Sequence, residues 1–214
     1  MKNVFAMQEF WIRQNISFLA RYWTTATEAL ARVKGDAENF KEFQIAGKEP
    51  HYVEAILSSH KDRLCYSGVL LTYATMEEFL AVLAKEVGRM HDIKILPSDL
   101  KDRGVKQYKK FIHDVCSVDP VNLNVDWEFL QNFSVVRNTI IHANGNKSLT
   151  SAPNKLEALV AKYPGELSFE HSVKLVISEE YVARCVEKTS ESARSINAYL
   201  RSRAVMDIPK PVPL

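Results

Sequence analysis

Apolar residues recur at helical spacing along most of this chain. Phe5, Phe10, Ile12, Ile16, Leu19, Tyr22, Trp23, Ala26 and Leu30 predict a helix over 4–33, ended by Gly35–Asp36. Residues 36–50 are polar, contain Gly47 and Pro50, and predict a loop. The longest periodic run is 51–90, with Val53, Ile56, Leu57, Leu64, Leu70, Leu71, Met76, Phe79, Leu80, Leu83 and Val87. It predicts one long helix, either continuous or interrupted near Gly68, with an end near Gly88. Pro97 and Gly104 make 91–104 mostly loop, and VKQYKKFIHDVC (105–116) predicts a short amphipathic helix with a basic face.

A connector with a turn at Asp119–Pro120 follows. Asp126 is a good N-cap for a helix over 127–143, and Asn144–Gly145 ends it. A short helix is expected at 154–162 and a turn at Pro164–Gly165. ELSFEH and SVKLVIS alternate and are rich in β-branched residues, so they predict a small hairpin interrupted at His171–Ser172. A last helix spans 179–203, and PKPVPL is an extended, flexible tail. The reading is an all-α antiparallel helical bundle of four to five helices, with a minor β-hairpin before the last helix. One domain over 1–206, followed by the tail 207–214, accounts for the chain.

Composition narrows the function classes. The chain has 214 residues, and 28 Lys and Arg against 26 Asp and Glu leave a net charge of +2, which neither demands nor excludes a nucleic-acid partner. Cys65, Cys116 and Cys185 are far apart and odd in number, so they read as reduced core thiols of a cytosolic protein. No Cys/His spacing suits a metal, and no cofactor motif is present. Gln8, Glu9 and Arg13 interrupt the apolar start, and no run approaches 18 apolar residues, so neither a signal peptide nor a membrane span is expected.

The stretch VVRNTIIHANG (135–145) carries the candidate chemistry. On a helix turning about 100° per residue, Phe129, Phe133, Val136 and Ile140 share one narrow arc. With Arg137 at zero, Asn138 lies at roughly 100° and His142 at roughly 140°, one turn above Asn138. Leu130, Val135 and Ile141 add apolar groups on that side, a pattern expected of a helix that is buried or covered by a second subunit. Polar residues in such company are hydrogen-bonded or functional. Two structural roles stay open at this point: an ion pair between Arg137 and Glu77, and a C-terminal cap by His142.

RNTIIH resembles the R-N-x-x-x-H form of the motif of the HEPN superfamily (higher eukaryotes and prokaryotes nucleotide-binding). LLTYATMEEFL, with its Met76–Glu77 pair, resembles the family's earlier helix. GVKQYKKFI followed by WEFLQNFSVVRN, then the hairpin and terminal helix, is similar in order to stand-alone prokaryotic HEPN proteins of the RiboL-PSP-HEPN type. The resemblance covers roughly residues 55–200. It implies a metal-independent endoribonuclease acting as a homodimer, with the two motifs meeting at the interface, in a toxin–antitoxin or phage-defence setting with an antitoxin or defence-system partner. Arg137, Asn138 and His142 are its catalytic set, and Glu77 orients Arg137. It equally admits a non-catalytic nucleotide-binding or protein-interaction module. The family's modifiable Tyr two residues beyond the His is Asn144 here, so that regulation does not carry over.

The residue chemistry is compatible with RNA cleavage. Histidine exchanges protons near neutrality, and arginine offers a permanent planar fork to phosphate oxygens. Lys106, Lys109 and Lys110, with Tyr108 and upstream Lys101 and Arg103, form a basic patch suited to an RNA backbone or to a solvated face. His51, His60, His91, His113 and His171 have no metal-ligand spacing, and His113 is expected to be structural or exposed.

Overall fold

The computed structural model describes residues 14–32, except 16 and 30, and residues 50–206. The predicted loop at 36–49, the ends of the first helix and the tail lie outside the described residues. The described chain is mostly helical, with one small antiparallel sheet. Helix α1 occupies 17–29, and α2 runs Pro50–Met90. Then come α3 (Val105–Lys110), α4 (Pro120–Leu123), α5 (Trp127–Ala143), α6 (Pro153–Lys162), β1 (Leu167–Glu170), β2 (Lys174–Ile177) and α7 (Glu179–Met206).

Helix α2 is the one long helix expected, and it is continuous at Gly68. The glycine serves close packing instead: a Cβ there would sit 2.7 Å from Val182 and 2.9 Å from Trp23. Cys65, Val69, Thr72, Met76, Phe79, Leu80, Leu83 and Val87 are buried at helical spacing along α2. Within Ser58–Met90 one 18-residue window is apolar enough by composition to cross a membrane, although no such run was expected. Half of that window is buried inside the protein, as in a core helix.

Asp119–Pro120 starts a helix rather than making a turn. Asp119 accepts a hydrogen bond from the Val121 amide at 2.9 Å, and Pro120 occupies the first helical position, where its missing N–H costs nothing. The basic helix α3 continues as a single π turn, Phe111–Val115, with both Phe111 and Ile112 buried. Asp126 caps α5 as expected, accepting from the Phe129 amide at 2.9 Å. Strands β1 and β2 pair antiparallel, Leu167 opposite Ile177 through Glu170 opposite Lys174. His171 and Ser172 take left-handed conformations and form the hairpin's turn.

The chain divides into two compact units, and α2, α5 and α7 each contribute a segment to both. The first unit contains 73–134 and the α7 segment from Glu187. In it Tyr73 packs edge-on against Phe133 (5.2 Å) and shares a 2.9 Å hydrogen bond with Ser134. The ring of His113 is half-buried, edge-on to Trp127 at 5.3 Å, with Nδ1 bonded to the Val118 carbonyl oxygen at 2.6 Å, which is a structural role. The second unit contains 17–72 and 135–186. Its core includes Tyr181, edge-on to Tyr163, and the ion pair Arg184–Glu166 lies outside that core.

All three cysteines are free and buried. Burial pushes the Cys65 thiol up to about 12, with nearby carboxylates adding to it. Burial likewise pushes the Tyr66 phenol up to about 12, helped by Asp62 and Glu170. Both groups hold their protons more tightly folded than unfolded. Their contribution is therefore complete below the ordinary thiol and phenol values and lost as pH rises towards 12. The thermal midpoint is predicted to hold level up to about pH 9 and to fall steadily between 9 and 12. A melting series by circular dichroism checks this, and a midpoint flat across that window contradicts it.

Candidate functional site

The last three turns of α5 carry Arg137, Asn138 and His142. The opposite stripe of that helix is anchored: Phe129, Phe133, Val136 and Ile140 are all buried, as the periodicity predicts. Arg137 is half-buried, whereas Asn138 and His142 are exposed. The three therefore point away from the core on a single side. Adjacent helical residues ordinarily do not face one another, but the long Arg137 side chain folds across. Its Nη1 donates to Asn138 Oδ1 at 2.8 Å. That bond directs the amide oxygen toward the guanidinium and leaves the Asn138 NH2 group facing outward.

The apolar residues expected on this side divide. Leu130 is fully buried and Val135 half-buried, but Ile141 is 46% exposed. At roughly 40° on the helical wheel, Ile141 sits between Arg137 and Asn138 and one residue before His142. A branched apolar side chain thus lies open to solvent in the middle of the polar set.

The end of this helix is fixed by long-range contacts that the sequence did not announce. Asn144 and Gly145 both adopt positive φ, at 48° and 78°. The Gly145 amide donates back to the Thr139 carbonyl oxygen at 3.0 Å, and the Gly145 carbonyl oxygen accepts from the Leu175 amide of β2 at 2.8 Å. The Lys147 amide donates to the Val173 carbonyl oxygen at 2.8 Å. From α2, the Tyr66 hydroxyl packs against Gly145 and donates to the Leu175 carbonyl oxygen at 2.5 Å. One turn earlier on α2, Asp62 accepts from Lys174 Nζ at 2.6 Å. Thr139 is fully buried, and its hydroxyl bonds to the Val135 carbonyl oxygen (2.9 Å) and to the Thr150 hydroxyl (3.2 Å). Helix α2, strand β2 and the motif helix are thereby locked together. Of this arrangement the sequence showed the Asn144–Gly145 helix stop and the hairpin, but not the contacts between them.

Glu77 belongs to the other unit. Its carboxylate lies beside Gly104; burial raises the Tyr108 phenol on the basic helix, and the Glu77 charge adds to that. On that helix, Lys106 and Lys110 are exposed and Lys109 is half-buried. Part of the basic patch is neutralised locally. Lys110 lies 3.5 Å from Asp102, and Arg103 Nη1 is held by the carbonyl oxygens of Leu100 (2.6 Å) and Asp102 (3.0 Å). Among the described residues, no group of three or more His, Cys, Asp or Glu is clustered as a metal site requires.

Replacing Gly145 by alanine forces an L-residue to φ near +78° and drives its methyl group into the Tyr66 hydroxyl. Gly145→Ala is therefore predicted to cost about 1–3 kcal/mol of stability. Urea unfolding measures this, and an unchanged midpoint contradicts the wedge. No protein-family model, curated protein or solved structure was found to match this chain.

Proposed function

We propose that this chain is a metal-independent endoribonuclease of the HEPN type, folded as a HEPN-like bundle and working as a homodimer. What supports the reading is one observation: Arg137, bonded to Asn138, shares the outward side of the terminal turns of α5 with exposed His142. The R-N-x-x-x-H resemblance supplies the reaction class, and these side chains have the chemistry for it.

The reaction uses RNA's own nucleophile. The 2′-oxygen attacks the adjacent phosphorus, and the bond from phosphorus to the 5′-oxygen breaks. A neutral His142 imidazole takes the 2′-OH proton, and an imidazolium returns a proton to the departing 5′-oxygen. The products are a 2′,3′-cyclic phosphate and a 5′-hydroxyl. Arg137 holds the non-bridging oxygens, where negative charge concentrates in the transition state. Asn138 orients the Arg137 fork through its amide oxygen and offers its NH2 group to the ribose.

A second copy supplies the second cation and the second imidazole. The exposed Ile141 gives the contact its apolar centre, because a twofold interface brings the same patch of each subunit together. Covering Ile141 also excludes water and strengthens the charge interactions around it. The lysine face of α3 binds the RNA backbone, and sensitivity to salt is its signature.

In EDTA-containing buffer, the wild-type chain is predicted to cut RNA. His142→Ala should lose about 10²–10⁴-fold and Arg137→Ala about 10²–10³-fold in rate with the fold retained. Full activity in either variant refutes the assignment. Ile141→Asp is predicted to yield a folded monomer with cleavage lost, as measured by analytical ultracentrifugation alongside the nuclease assay. A dimeric, active Ile141→Asp protein removes the composite site.

A further inference from the structure

An open cavity of about 650 Å³ lies where the start of α5 meets α7, lined by Asn124, Asp126, Lys188, Glu191, Ser192 and Arg194, with Val125 and Ser195 completing the wall. All of it belongs to the first unit. Its carboxylates are engaged: Asp126 Oδ1 caps the Phe129 amide at 2.9 Å, and Glu191 accepts from Lys188 Nζ at 2.8 Å. The donors on the wall are not. Among the described residues, the side chains of Asn124, Ser192, Arg194 and Ser195 have no hydrogen-bond or ion-pair partner.

Ser192 is the most telling of these, because it is only 3% exposed. Other helical hydroxyls in this protein bond back to the carbonyl one turn earlier, as Thr72 does to Gly68 (2.7 Å), Ser134 to Leu130 (3.0 Å) and Thr139 to Val135 (2.9 Å). Ser192 does not, and its hydroxyl, on the cavity lining, stays available to a ligand there. The wall therefore presents one unpaired guanidinium, two free hydroxyls and an amide. The second oxygen of Asp126, on the same lining, can accept.

This set recognises a molecule with a strong oxyanion at one end and hydroxyl groups at the other. Arginine and hydroxyl donors match phosphate oxygens, while a carboxylate oxygen and a side-chain amide match alcohols. Among the described residues no aromatic ring lines the cavity, so none of them offers a stacking surface for a base. We propose that the cavity binds a phosphate monoester of a hydroxylated ligand, its phosphate on Arg194, Ser192 and Ser195 and its hydroxyls on Asn124 and Asp126. A free sugar phosphate and the 5′-phosphorylated end of an RNA strand share that chemistry. The site is separate from Arg137 and His142 in sequence and stands without the nuclease reading.

Ribose 5-phosphate is the direct probe, titrated into the full chain by isothermal calorimetry. Saturable binding is expected, with ribose and inorganic phosphate each at least tenfold weaker. Arg194→Gln should weaken it roughly tenfold or more, the effect of removing a charge-assisted bond. Ser192→Val should do likewise, and Ser195→Ala, a gentler change, guards against misfolding of the valine variant. His142→Ala should bind as wild type, which keeps failure here distinct from failure of cleavage. Displacement by 5′-phosphorylated but not 5′-hydroxyl RNA assigns the site to a strand end, and displacement by neither assigns it to a free sugar phosphate. No saturable binding of ribose 5-phosphate or of phosphorylated RNA overturns the proposal. So does wild-type affinity in all three cavity variants.

Discussion

The contact on which the second unit depends is the Tyr66 hydroxyl wedged against Gly145 and bonded to the Leu175 carbonyl oxygen. A phenol reaches across from α2, the glycine gives it room, and a β2 carbonyl oxygen accepts its hydrogen bond. Leu175 answers with its own amide, donated to the Gly145 carbonyl oxygen. Three elements distant in sequence are thus tied at a single point, where α5 stops. Gly145 meets two requirements at once, a left-handed backbone and the absence of a Cβ. Asp62, holding Lys174 one turn earlier on α2, repeats the tie and keeps the hairpin in register with it.

That constraint explains how a short polar set can be presented with a fixed geometry. A helix end ordinarily frays, because its last carbonyls lack partners. Here the chain just beyond the end is threaded into the hairpin, and Thr139 is fastened to the following loop. The final turns that carry Arg137, Asn138 and His142 are therefore held from below and behind, while their outward side stays open. Rigid support beneath an exposed charged group is what a site for a developing negative charge needs. Ile141, exposed among these groups, is the apolar contact that the proposed dimer would bury.

Much of this was readable from local patterns, and the exceptions have physical reasons. The bounds of α5 followed from Asp126 as cap and Asn144–Gly145 as stop, because both signals act over a few residues. The stripe of Phe129, Phe133, Val136 and Ile140 followed from periodicity alone. Asp119–Pro120 was misread because the same pair begins a turn or a helix. The Val121 amide and the apolar Leu123, buried behind it, decided for the helix. Whether Gly68 breaks α2 stayed open in the sequence, since the reason for the glycine lies in Val182 and Trp23, far away along the chain. Tyr66 and Leu175 had no signal at all, as a hydrogen bond across 109 positions leaves no spacing to recognise. The division into two units was equally hidden, because α2, α5 and α7 run through it without a change in composition.

The central claim is that Arg137, Asn138 and His142 cut RNA through the substrate's own 2′-hydroxyl. The most direct measurement compares one oligonucleotide sequence as RNA and as its fully 2′-O-methylated counterpart, each incubated with the wild-type chain in EDTA. The account predicts that the RNA is cut, leaving 2′,3′-cyclic phosphate and 5′-hydroxyl ends, and that the methylated strand stays intact. Equal cleavage of both strands, or products ending in a 5′-phosphate, would contradict it.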